Sequence, residues 1–249
     1  MSIFEIYLAA LFFVVAILYS SVGHAGASGY IAAMALLGMA PEQMRPTALT
    51  LNILVGSIGL FRFYRAGLID YKKVLPFVLA SAPCAFFAAK YPIAKEHYSL
   101  LLGLFLIFAA LAVFKTALSL SKQESEFPLR PIFWPAAVIV GAAIGVLSGL
   151  TGTGGAIFLT PILLLAHWAH TREASGISVA FVFINSLTAL AGLWKGGASF
   201  PDALPYWLVA VAAGALIGTQ LGIHRLPVRG LRFALSIVLL IAAGKLLLG

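Results

Sequence analysis

Residues 132–166 read IFWPAAVIVGAAIGVLSGLTGTGGAIFLTPILLLA, and the way this stretch is threaded decides the fold. Two apolar arms flank the run Gly149-Leu150-Thr151-Gly152-Thr153-Gly154-Gly155. The arms are continuous rather than alternating, which predicts helices and argues against the strands of an outer-membrane barrel. Glycine populates backbone conformations closed to other residues, so the run predicts a broken helix. A weaker copy lies near the N-terminus. There an apolar segment from about Ile3 to Ser21 is interrupted by Gly23-His24-Ala25-Gly26-Ala27-Ser28-Gly29, resumes at Tyr30 and ends near Pro41.

Working outward, the same apolar character fills the chain. Of 249 residues, 62% are hydrophobic and 10% charged, against about 25% charged in soluble domains. Further apolar segments fall at about 47–63, 74–89, 98–118, 174–193, 204–222 and 231–248. Segments of about 17–25 residues suffice to cross a hydrocarbon core of roughly 30 Å. Only helices or closed barrels satisfy their own backbone groups there, so the expected fold is an all-α membrane bundle with the lipid bilayer as solvent. The formal charge of +8 has its basic residues between the apolar spans, where membrane topology explains them better than nucleic-acid binding. The single cysteine, Cys84, permits no intrachain disulfide and no cysteine metal cluster. The N-terminus lacks a basic region and a small-residue cleavage site, so it reads as a retained first helix.

The pattern repeats. Gly26-Ala27-Ser28-Gly29-Tyr30-Ile31 aligns with Gly152-Thr153-Gly154-Gly155-Ala156-Ile157, Pro76 with Pro205, and Lys90-Tyr91-Pro92 with Arg225-Leu226-Pro227. This divides the chain into a first repeat (1–120), a polar linker (121–131) and a second repeat (132–249). Each repeat has a glycine-broken segment and three further spans.

Charge counting separates the two ways of threading the breaks. If each broken segment is one span, lysine and arginine split nine to seven between the two sides. If each is a hairpin that leaves on its side of entry, the second repeat is inverted. Five basic residues (Arg45, Lys90, Lys95, Lys195, Lys245) then lie on one side and the other eleven of 16 on the opposite side. The positive-inside rule favours the second split. It places both termini outside the cytoplasm and the linker within it, in the inverted-repeat plan common among secondary transporters.

Broken helices at membrane depth are costly unless they line a protein cavity. A helix that starts there presents unpaired N–H groups and the positive end of its dipole, an arrangement suited to an anion. The expected binding residues are Gly26, Ser28 and Gly29 in the first break, and Thr151, Gly152, Thr153, Gly154 and Gly155 in the second. The hydroxyls serve as donors, although small polar residues also cap helices and let them pack closely. His24 is a candidate for proton coupling or gating, because ionisable groups in membranes are expensive; no like residue aligns with it at Leu150 or Thr151. Asn52 and Asn185 are candidates for gating or interhelical hydrogen bonding. Arg45 and Arg172, each just past a break, either draw anions to the mouth or anchor helix ends by snorkelling.

The glycine break followed by Ala156-Ile157-Phe158-Leu159-Thr160-Pro161, its weaker copy at Gly23–Gly29, and about eight apolar segments resemble the sulfite exporter TauE/SafE family. The resemblance implies transport of a small sulfur-containing anion, such as sulfite or an organosulfonate, across the inner membrane, with export as the expected direction. The first copy departs from the pattern, with Ser28 in place of a glycine and Ala35 where the second has Pro161. No nucleotide-binding sequence G-x-x-x-x-G-K-[ST] occurs, so a proton, an ion gradient or the substrate's own gradient would supply the energy, with no cofactor. A homodimer is compatible with the sequence. The alternatives are an anion channel and an uptake permease for another small organic acid. An intramembrane enzyme is disfavoured because the five histidines are scattered, and the closest pair, His167 and His170, has only Glu173 as an acidic neighbour.

Overall fold

A computed structural model describes residues 3–21, 23–91, 95–118, 128–194, 198–224 and 229–248. Pro92, Lys195, Arg225, Leu226, Pro227 and residues 121–127 of the expected linker lie outside the described residues. Ten helices follow in order: α1 (Ile3–Ser20), α2 (Ala27–Leu36), α3 (Pro41–Arg65), α4 (Tyr71–Ala89), α5 (Lys95–Leu118), α6 (Trp134–Thr151), α7 (Ala156–Leu165), α8 (Thr171–Trp194), α9 (Leu204–His224) and α10 (Arg229–Leu248). Among the described residues there is no strand. Seven helices (α1, α3, α4, α5, α6, α8 and α9) are long and apolar enough to cross a membrane. By contrast, α2 and α7 have 10 residues each, about 15 Å of helix, too short to cross alone.

The short helices fold back on their predecessors. Tyr30 of α2 packs edge-on against Phe12 of α1, with ring centroids 5.2 Å apart, and the Tyr19 and Ser28 hydroxyls are 2.7 Å apart. In the second half, the Arg130 N–H, just before α6, donates to the His167 carbonyl, just after α7, at 2.8 Å. Both broken segments are therefore helical hairpins.

The helices interlock across the two halves. α1 packs on α9, and α6 on α4, while α3 packs on α8 and α5 on α10. Exchanging the halves leaves this set of pairs unchanged. Two ladders of small residues make the first two contacts close. Gly141, Gly145 and Gly149 of α6 lie against the backbone at Phe77, Ser81 and Ala85 of α4. Gly214, Gly218 and Gly222 of α9 lie against Phe13, Ile17 and Ser21 in and just after α1. The glycines recur every fourth residue, a signal present in the sequence but absorbed there into general apolar content. The like-for-like pairs run antiparallel: Gly56 meets Phe183 and Gly59 meets Val179 between α3 and α8. Between α5 and α10, Gly103 meets Leu247 and Phe114 meets Phe233.

The structure corrects the alignment of the breaks by three residues. Gly23 and Gly152 share a left-handed φ (76° and 80°), as do Gly26 and Gly155 (106° and 82°). Both pairs, and both ends of α2 and α7, are 129 residues apart. The structural counterpart of Gly26 is thus Gly155 rather than Gly152, and that of His24 is Thr153. Conformation, not composition, sets the register, because only glycine adopts these φ values without strain. Gly29 falls inside α2, against Val15 and Tyr19, and Thr151 closes α6.

Candidate substrate site at the glycine breaks

The two breaks meet. His24 of the first reaches the carbonyl of Ala156, the first residue of α7, through Nε2 at 3.2 Å. The same nitrogen is 2.9 Å from Thr160 Oγ1, which is 2.6 Å from Ser178 Oγ on α8. Because the Ala156 carbonyl only accepts, this geometry calls for a proton on Nε2. Tyr19 flanks the ring at 6.2 Å. Ala25, Ala27, Ala156 and Ile157 share one apolar cluster, so the starts of α2 and α7 belong to a common core. The N-cap positions are Gly26 and Gly155, which supply no side-chain cap for the first N–H groups of either helix.

The second break is held by the long helices of both halves. Gly154 has φ +74°, and a Cβ there would stand 2.8 Å from both Asn52 Nδ2 of α3 and Ser186 Oγ of α8, and closer still to Val182. Asn52 Nδ2 donates to the Thr153 carbonyl and to Ser186 Oγ, each at 3.3 Å. Thr151 Oγ1 lies 2.8 Å from Thr153 Oγ1 and donates to the Leu147 carbonyl at 2.7 Å. Tyr98 of α5 donates to the Thr151 carbonyl at 3.2 Å. Asn52, Asn185 and Ser148 are fully buried. Among the described residues, Asn52 Oδ1, Ser148 Oγ and both amide atoms of Asn185 have no hydrogen-bond partner.

The two arginines occupy different settings. Arg45 is half-buried and donates to the carbonyls of Gly149 at 2.6 Å and Ala89 at 3.2 Å. Its backbone touches Gly152. It therefore caps the C-terminal end of α6, where a cation complements the dipole. Arg172 is exposed in the first turn of α8, one turn before Ser175, which packs on Gly23 of the first break.

Asn52 meets Thr153 and Gly154, and His24 meets Ala156 just after Gly155; Gly26 lies against Tyr30, Gly152 against Arg45, and Ser28 and Gly29 face α1. Thr160, Ser178 and Ser186 join them without having been singled out from sequence. A hydroxyl residue in an apolar helix was their only signal.

The profile of the family described as "Sulfite exporter TauE/SafE" matches residues 8–246. The chain is 39% identical over 240 residues to "Probable membrane transporter protein y4hK" of Sinorhizobium fredii, covering 96% of this chain and 97% of that protein. It is 24% identical over 200 residues to "Probable membrane transporter protein YunE" of Bacillus subtilis, covering 73% of this chain and 71% of that one. No solved structure matches it significantly. With its hairpins, its spans and nearly its whole length matched, the chain belongs to the sulfite exporter TauE/SafE family of membrane transporters.

Proposed function

We propose that this protein is a secondary transporter that exports a small sulfur-containing anion, such as sulfite or an organosulfonate, across the inner membrane. The observation that carries this reading is the meeting of two glycine turns, one from each half, beside buried polar side chains. Helix starts without side-chain caps favour negative charge, and hydroxyl and amide donors fix the orientation of an oxyanion without a fixed countercharge at each oxygen. His24, bonded across the two halves, is suited to couple a proton to movement. The family match and the names of the relatives support transport as such.

In this reading, residues 1–120 and 132–249 are inverted repeats. Antiparallel packing of the equivalent pairs α3–α8 and α5–α10 supports a twofold axis perpendicular to the helices, because an axis along them would leave each pair parallel. Both termini then lie on the non-cytoplasmic side. A reporter active only in the cytoplasm, fused to Gly249, should stay silent; activity there would refute the inverted topology. For transport itself, counterflow of labelled sulfite into liposomes should be saturable and stimulated by unlabelled anion on the opposite side. Conductance without such exchange would identify a channel instead.

A further inference from the structure

Asn52 imposes a chemical condition on the substrate beyond its negative charge. Its Nδ2 lies 3.3 Å from the Thr153 carbonyl, an oxygen that only accepts, so the amide orientation is fixed chemically. Oδ1 is then presented as an acceptor that is fully buried and without a partner among the described residues. A ligand that only accepts hydrogen bonds would leave it unsatisfied and bring oxygen against oxygen. The Arg45 guanidinium at this break is already engaged with two carbonyls, so the positive field left for a ligand is that of the uncapped starts of α2 and α7, about half a charge each. That field balances one negative charge better than two.

We infer that the second break selects a singly charged oxyanion that still carries a hydrogen, such as hydrogensulfite, with Asn52 Oδ1 accepting its O–H and the first turn of α7 holding its other oxygens. This rests on the transporter reading, narrows its substrate from organosulfonates without an O–H to a protonated oxyanion, and names the protonation state that is carried. No bond is made or broken; the anion is sorted by its hydrogen.

The test is competition in proteoliposomes of the full chain, using counterflow of labelled sulfite at a mildly acidic pH where hydrogensulfite predominates. Methanesulfonate is the decisive competitor, because it has one charge and a similar shape but no O–H; sulfate adds a second charge. Both should compete about tenfold or more weakly than unlabelled hydrogensulfite, the penalty of one buried group left unpaired. Asn52→Leu, which removes the acceptor, should bring methanesulfonate and hydrogensulfite towards equality. Equal competition in the unaltered protein would overturn the inference, whether or not the variant folds. Absence of counterflow with every anion would overturn the transporter reading along with it.

Discussion

At the first glycine break most polar side chains satisfy one another: Tyr19 meets Ser28, and His24 meets Thr160, which in turn meets Ser178; the buried Tyr30 hydroxyl beside Gly26 is the exception, with no partner among the described residues. At the second break, Asn52 spends its N–H groups on Thr153 and Ser186, while its oxygen and the Ser148 hydroxyl have no partner among the described residues. The backbone is nearly the same in both, with left-handed glycines 129 residues apart. A duplicated turn can therefore hold two jobs, because φ values survive duplication while neighbours diverge. The first break has the character of a joint between halves, and the second that of a receptor.

The strongest way to break this comparison is Gly154→Val. Its Cβ would enter space held by Val182, Asn52 and Ser186 at φ +74°, and we expect transport to fall on the order of a hundredfold with membrane insertion unchanged. Gly38→Ala is the control, since Gly38 has φ +78° but nothing within 4 Å. It should cost only about 1–2 kcal/mol of backbone strain, read as a modest shift in thermal midpoint with transport retained. Equal losses in both would mean that strain, not the site, explains Gly154. Next in size is Arg45→Met, which leaves the Gly149 and Ala89 carbonyls without their donor. A stability loss of about 1–3 kcal/mol in a denaturation midpoint, exceeding that of Arg172→Met, would mark Arg45 as a helix anchor.

His24→Gln keeps a donor for the Ala156 carbonyl but cannot take up a proton. Proton-driven transport should drop several-fold while sulfite counterflow persists; equal loss of both would place His24 in the binding site and erase the division of labour. The smallest effect is expected for Tyr19→Phe, which removes one hydroxyl contact at the first break. About 1 kcal/mol of stability and unchanged competition by anions should result.

Much of this was legible in the sequence. The apolar runs located all ten helices, and the charge distribution favoured hairpins over single spans; Tyr30–Phe12 and Arg130–His167 are contacts that a hairpin would make. The register of the breaks was not legible. Gly29 and Gly152 look alike as letters, and only φ separates a packing glycine from a turning one. The partners of His24 were hidden for a different reason. Thr160 and Ser178 lie 136 and 154 positions along the chain, and no local pattern encodes which distant hydroxyl a side chain will meet. For Arg45 the sequence left anion attraction and helix-end anchoring both open, because its acceptors, the ends of α4 and α6, become neighbours only after packing.

The glycine ladders also constrain when the molecule can be completed. α4 lies against a helix some 64 residues later, through Phe77 and Gly141, but α1 must wait for α9, about 200 residues later, through Phe13 and Gly214. During synthesis the first helix is therefore made long before the surface it fits exists, and contacts so distant in sequence are slow to form. The bare flank of α1 has to be sheltered by lipid or by the insertion machinery until the ninth helix arrives, after which only α10, docking on α5 through Gly103 and Leu247, remains to close the bundle.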